Sequence, residues 1–200
     1  MANKISSIER LALILCGILL ALSVGLYLYG QALGPTESKQ NSLGGDFTLQ
    51  GLNGPVSLSD FNGKGVVLMF GYTSCPDICP TGLANLGAAM NRLNEEQQQQ
   101  VQPIFVSVDP DRDTTQRLDD YTRYFYPGAI GITGSKTEID EVVKAYGAFY
   151  RMVDMPNSAM AYSVDHSARI YLIGRDGKLN RLIDHNAPVA ELSTAIEALL

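Results

Sequence analysis

Cysteine, histidine and tryptophan are scarce in this chain: three, two and none among 200 residues. So few cysteines leave no disulfide framework, and the fold must rest on an apolar core. Basic charge is short as well, with 15 Lys and Arg against 21 Asp and Glu and a formal net charge of −6. No basic stretch occurs, so nucleic acid, which is gripped by neutralising phosphates, is excluded as a partner. Internal repeats are absent, which leaves one ordinary domain with an appendage. Long uncharged apolar runs are limited to one, at residues 11–29 (LALILCGILLALSVGLYLY).

That run decides the N-terminal half of the topology. At about 1.5 Å per residue it extends on the order of 28 Å as a helix, close to the hydrocarbon thickness of a bilayer. It exceeds the apolar region of about 7–15 residues found in cleaved signal peptides. We therefore read residues 11–30 as a transmembrane anchor rather than a signal peptide. Cys16 is a poor lipoprotein site, because bulky Leu15 precedes it. Lys4 and Arg10 precede the span and the next basic residue is Lys39. The positive-inside rule places residues 1–10 in the cytoplasm and the rest in the periplasm, so a single-pass inner-membrane protein is expected. Residues 31–44, rich in Gly, Pro and Ser, read as a linker, and residues 45–200 as one folded domain.

Within that domain strands alternate with helices. Residues 46–50 and 56–58 form an opening hairpin about Asn53-Gly54. The unbroken apolar run 65–72 is a strand covered on both faces, and 101–108 is a second. Helices are expected at 80–96, with Leu83, Leu86, Met90 and Leu93 on one stripe, and at 114–125. A short strand at 129–133 comes next. A capping box, Ser135 with Glu138, opens a helix running to about Tyr150. Residues 151–161 read as a loop. Strands 168–173 and 178–183 flank a Gly-containing turn, and a helix closes the chain from Pro188. The layout is α/β: a mixed sheet between helices, the thioredoxin-like architecture, carrying an N-terminal transmembrane helix.

Chemistry concentrates at 71–80, GYTSCPDICP. Two cysteines four positions apart in an oxidising compartment form a disulfide, a metal site or a redox pair. Pro76 and Pro80 disfavour the helical conformation at Cys75 and Cys79, so both are expected on a loop, with Pro80 near the first helical position. A helix N-terminus there favours thiolate over thiol. Three residues separate the cysteines, where thioredoxin-type oxidoreductases have two. The longer loop leaves room for a metal and still permits a disulfide. A third ligand is available in His166, on the loop before strand 168–173, which a thioredoxin layout brings to the cysteine loop. His185 is expected on the surface at the opposite end of that hairpin. Two thiolates and an imidazole select Cu(I) and hold Cu(II) with a further weak ligand; zinc usually takes four. Asp109-Pro-Asp-Arg-Asp113 reads as the solvated, capped start of the next helix, with a partner surface or support for the site as the other readings. Asp77 and Asp165 adjoin the ligands and are placed to tune them through hydrogen bonds.

With these pieces in place, the chain resembles the Sco/SenC family of copper-carrying cytochrome c oxidase assembly factors. The resemblance covers residues 45–200 and the anchor, on GYTSCPDICP at 71–80, VSVDPDRDT at 106–114 and YSVDHSARIYLIGRDGKL at 162–179. It implies that Cys75, Cys79 and His166 are copper ligands. It also implies that Cys75 and Cys79 are the redox-active pair. The implied partner is the copper-containing subunit of cytochrome c oxidase, whose binuclear copper site the family metallates or keeps reduced. Other copper carriers or thiol reductants are further expected partners.

Two functions of different class follow. One is a copper metallochaperone, a carrier without turnover. The other is a membrane-anchored thiol-disulfide oxidoreductase, in which His166 has no necessary part. A thiol peroxidase shares the fold, but nothing marks a peroxide pocket.

Overall fold

The structure is a computed structural model that describes the backbone of residues 7–32 and 43–200. The chain divides into two compact units, Met1–Asn41 and Ser42–Leu200. The first contains helix α1, Ser7–Ala32, whose side chains are described from Leu15 to Tyr29 and are exposed there. Among the described residues no helix is long and apolar enough to cross a membrane. Most of the expected linker, and the first six residues of the expected cytoplasmic segment, lie outside the described residues.

The second unit opens with the antiparallel hairpin β1 (Thr48–Gly51) and β2 (Gly54–Ser57). A 3-10 turn at Leu58–Phe61 leads into β3, Gly65–Gly71, in which every residue is buried. Helix α2 (Ile78–Met90) and the short α3 (Glu95–Gln99) precede β4, Val101–Ser107. Then come α4 (Thr115–Phe125), β5 (Ile130–Ile132) and α5 (Lys136–Ala145). The hairpin β6 (Tyr150–Asp154) and β7 (Tyr162–His166) stands apart from the main sheet. Strands β8 (Arg169–Ile173) and β9 (Leu179–Asp184) and helix α6 (Val189–Glu197) complete the fold.

The central sheet runs β5-β4-β3-β8-β9. The first three strands are parallel, and β8 and β9 are antiparallel. This is the expected thioredoxin-like layout. Alternation along β3 sorts the layers. Met69 and Gly71 face α2, where Gly71 abuts Cys79 and Gly82 abuts Met69. Phe105, beside Met69 in register, stacks on Tyr121 of α4. Phe70 points the other way, meeting Tyr146 and Tyr171 edge-on with ring centres 6.0 and 5.3 Å away.

Four local expectations are corrected. The helix expected over 80–96 is two helices, because Asn94 starts a new one: its side chain accepts from the Gln97 N–H while Gln97 reciprocates. That helix begins at Ile78, so Cys79 sits in its first turn rather than on the loop. Pro80 is tolerated there because first-turn N–H groups have no partner within the helix. The helix expected to reach Tyr150 stops at Ala145, and Gly147 turns the chain out at φ +62°. The loop expected at 151–161 is mostly hairpin, since residues 150–154 pair with 162–166.

Candidate metal site

Cys75, Cys79 and His166 converge: one ligand atom from each lies within 4.8 Å of the other two, and all three residues are buried. Each arrives by a different local device. The β3 strand delivers Gly71 and Tyr72 to the rim of the sheet. The chain then turns, with the Cys75 N–H donating to the Tyr72 carbonyl at 3.2 Å. Cys79 is carried inward by the first turn of α2 and is fully buried. Its sulfur fits because residue 71 lacks a side chain. A Cβ at Gly71 would overlap Cys79 Sγ and stand 2.8 Å from the Phe105 ring. His166 ends strand β7, not a loop as expected, and its Nε2 lies 3.3 Å from Cys79 Sγ. The His166 Nδ1 lies 3.1 Å from the Ser167 carbonyl. A carbonyl only accepts, so Nδ1 donates to it, and Nε2 is the nitrogen turned toward the sulfurs.

The hydrogen bond between the two sulfurs pulls their titrations in opposite directions. The Cys75 thiol is lowered to about 3, first because Cys79 donates a hydrogen bond to its thiolate, against the opposing effect of burial. The bond from His166 and the N–H groups of Cys79 and Asp77 act in the same direction. Cys79 is raised correspondingly, by its bond to Cys75, by burial and by the Cys75 charge. Both cysteines are free thiols here. A cleft of about 460 Å³, lined by Cys75, Ile78, Phe149, Val164 and His166 among others, opens beside them.

The donors suit a soft ion. Three ligands at bond lengths of about 2.0–2.3 Å around a trigonal centre stand roughly 3.5–4 Å apart. The observed spacing brackets that value, so small side-chain movements close the triangle. No fourth donor of this type joins the cluster among the described residues. The same sulfurs can instead close a disulfide when a partner disulfide reaching the cleft takes up the two electrons, and the lowered Cys75 thiol favours that attack.

Other sequence expectations fare differently. His185 lies at the same end of the β8–β9 hairpin as His166, not the opposite one. Antiparallel pairing sets Asp184 against Arg169, and the His185 N–H donates to the Ala168 carbonyl. It is half-buried, with Nδ1 buried and unbonded among the described residues. Asp165 pairs with Arg151 across the β6–β7 hairpin at 2.7 Å, and the Asp77 carboxylate accepts from Thr81. Neither carboxylate bonds a ligand side chain.

The segment 109–113 is only partly solvated, with Asp111 exposed. Asp109 and Asp113 are buried, and the cap of α4 is Thr114, which accepts from the Arg117 N–H. Tyr72 and Tyr162, unremarked in the sequence, link this segment to the site. Tyr72 meets the His166 ring edge-on at 5.7 Å. Tyr162 donates to Asp109 at 2.7 Å. Their positions, Tyr72 just after β3 and Tyr162 at the start of β7, are the one signal the sequence carries for them.

Comparison with known proteins agrees with this geometry. A mitochondrial SCO1 homolog of Arabidopsis thaliana is 37% identical over 164 residues, 82% of this chain and 48% of its own length. An SCO2-like protein of Rickettsia conorii is 39% identical over 137 residues, 68% of this chain and 66% of its own. The chain thus spans about half to two thirds of the length of these relatives. The crystal structure of Arabidopsis thaliana ScoI with copper bound matches with a TM-score of 0.71 and 37% identity, over 77% of this chain and 95% of that one. A structure of BsSco, described as having a disulfide switch and as a member of the Sco family of cytochrome c oxidase assembly proteins, matches at TM-score 0.61. It is 26% identical, over 80% of this chain and 94% of that one. The SCO1/SenC family model matches residues 35–200, and the chain belongs to that family.

Proposed function

We propose that this protein is a copper carrier that binds one copper ion through Cys75, Cys79 and His166 and serves assembly of the copper-containing subunit of cytochrome c oxidase. The observation that carries this reading is the buried triangle of two sulfurs and one imidazole, taken with copper bound in a relative 37% identical. Two thiolates and a neutral imidazole form a soft, three-coordinate set that suits Cu(I), and Cu(II) is held with one further weak ligand. Binding must displace the proton held by Cys79, because the ligand is the thiolate. Residues 11–30 anchor the domain to the inner membrane and residues 45–200 face the periplasm. The uncharged run and the position of Lys4 and Arg10 support that placement.

A second reading has its own support in the lowered Cys75 thiol and in the disulfide switch described for BsSco. As an oxidoreductase, the Cys75 thiolate attacks a partner disulfide and forms a mixed disulfide, and one partner thiolate leaves. Cys79 then gives up its proton and displaces the second partner sulfur, leaving a Cys75–Cys79 disulfide and a reduced partner.

Copper titration of the detergent-solubilised chain separates the two. Changing Cys75 or Cys79 to Ala should sharply weaken binding of either oxidation state, and changing His166 to Ala should sharply weaken binding of Cu(II). His185→Ala should leave it unchanged, because His185 is outside the ligand triangle. Oxidation to the disulfide should abolish binding, and reductant should restore it. If His166→Ala binds Cu(II) as tightly as the parent while exchange with a partner disulfide persists, the carrier reading falls and the oxidoreductase reading replaces it.

A further inference from the structure

Two buried carboxylates, Asp109 and Asp113, lie four residues apart behind the site, and they hold opposite sides of it. Asp113 accepts from the Thr73 N–H at 2.9 Å, the Thr73 hydroxyl at 2.5 Å and the Ser107 hydroxyl at 2.6 Å. Arg117 adds bonds to the Thr73 and Ser74 hydroxyls at 2.6 and 3.2 Å. The bonds to Thr73 and Ser74 grip the turn that leads into Cys75, and the Ser107 bond ties Asp113 to β4. Asp109 instead accepts from Arg112 Nε at 2.5 Å and from the Tyr162 hydroxyl at 2.7 Å. Arg112 Nη1 reaches on to the carbonyls of Met160 and Tyr162, at 3.3 and 3.1 Å. Its guanidinium lies 3.7 Å from the centre of the Tyr162 ring and 5.5 Å from that of Tyr72. Tyr72 in turn accepts from the Val164 N–H at 3.3 Å and meets the His166 ring edge-on. The attachments fall at residues 162, 164 and 166, along the strand that ends in the histidine.

We infer that the Asp109–Arg112–Tyr162 clamp is a positioning device for His166, setting whether the imidazole reaches the metal held by the two sulfurs. The β6–β7 hairpin shares no strand pairing with the main sheet. Residues 167–168 join its end to β8, and side-chain attachments of this kind hold the rest of it over the cysteines. Stability alone is a poor reason for the clamp. A largely buried ion pair rarely repays its desolvation, and although part of the Arg112 side chain is exposed, its Nη2 is buried without a partner among the described residues. The inference rests on the three-ligand reading above and adds a consequence to it. Cu(I) is content with two thiolates, whereas Cu(II) needs the nitrogen. Loosening the clamp should thus cost Cu(II) binding while sparing Cu(I), changing which oxidation state the protein retains.

The test uses the full chain in detergent, as Arg112→Lys, Tyr162→Phe, His166→Ala and the double change of Arg112 and His166. Lysine keeps a cation beside Asp109 but lacks the planar fork that reaches two carbonyls. Tyr162→Phe keeps the ring under the guanidinium and removes only the bond to Asp109. Arg112→Lys should lower Cu(II) affinity by about tenfold or more, in the range set by groups that orient metal ligands. Cu(I) affinity, measured against a competing chelator, should change by less than about threefold, since both thiolates remain. Nitrogen coupling in the Cu(II) electron paramagnetic resonance spectrum should weaken. In the metal-free protein, amide exchange should rise at residues 163–166 and not at 73–79. The double variant should bind Cu(II) no worse than His166→Ala alone, because both changes act through one group. Tyr162→Phe should show the same pattern in weaker form. Equal losses of Cu(I) and Cu(II), full additivity with His166→Ala, or unchanged exchange at 163–166 would each overturn the clamp. A parent chain whose copper binding ignores His166 defeats the three-ligand reading instead, and the metal-free exchange then decides the clamp by itself.

Discussion

At the scale of single residues, the site is governed by how two sulfurs part with their protons. Cys75 is lowered and Cys79 is raised, chiefly by the hydrogen bond between them, so the pair gives up its first proton readily and holds its second. The sign of the pH dependence follows. Copper must expel the Cys79 proton, so affinity should rise with pH, by about tenfold per unit where that single proton is the only one released. Titration of copper against a pH-buffered chelator from about pH 6 to 8 reads the slope; a flat profile would show that Cys79 is already a thiolate. In the metal-free protein, an alkylating reagent at about pH 5 should label Cys75 and not Cys79, because an ordinary thiol is almost fully protonated there. Mass spectrometry of the labelled peptide settles which sulfur reacts. Gly71 gives a second residue-scale test. An alanine at that position drives a methyl into Cys79 Sγ and the Phe105 ring. Such overpacking costs about 1–3 kcal/mol, and displacing the sulfur should weaken copper binding as well. Denaturant unfolding and copper titration on the same variant measure the two effects.

Among the elements, those with a periodic or capped sequence were readable and those held by contacts elsewhere were not. The continuous apolar run at 65–72 is the buried strand β3, and the Ser135-x-x-Glu138 pattern is a reciprocal capping box. Ser135→Ala should therefore cost about 1 kcal/mol of unfolding free energy. Chemical denaturation should show that loss with copper affinity unchanged, since α5 covers the face of the sheet away from Cys79. The β6–β7 hairpin was invisible by contrast. Its residues 150–154 are mostly exposed or half-buried, so no apolar alternation marks them. Their pairing partners lie across a turn with no two-residue Gly signal. Cys75, Cys79 and His166 were legible as candidates because their residue types are rare in the chain. The clamp was not, because charged residues in a short run ordinarily read as a solvated helix start. Only the fold shows Asp109 and Asp113 buried. His185 was misplaced through antiparallel geometry: the end of β9 lies beside the start of β8, not away from it.

For the whole molecule, the division at Asn41 and Ser42 separates an apolar helix from a unit with its own continuous core. Residues 42–200 should thus fold without the rest, as expected of a domain of this size. A soluble fragment with one cooperative unfolding transition and parental copper affinity is the expected result. An insoluble fragment would show that the core needs the preceding residues. Orientation is the further question, and it bears directly on the chemistry. The helix Ser7–Ala32 carries Glu9 and Arg10 only in its first turn, and Lys4 precedes it. Basic residues resist translocation while the acidic remainder offers little opposition to it, so the folded unit should lie on the periplasmic side. Placed there, the free pair Cys75 and Cys79 would meet an oxidising compartment, and a lowered thiol would make Cys75 a ready nucleophile toward any disulfide. Copper loading or a dedicated reductant must then keep the pair from closing. A reporter active only in the periplasm, fused after Leu200, should give signal, and copper starvation of the same cells should raise the fraction of protein with the Cys75–Cys79 disulfide in a thiol-trapping assay. Signal from a cytoplasm-only reporter would place the pair in a reducing compartment, and the need for protection by copper would disappear with it.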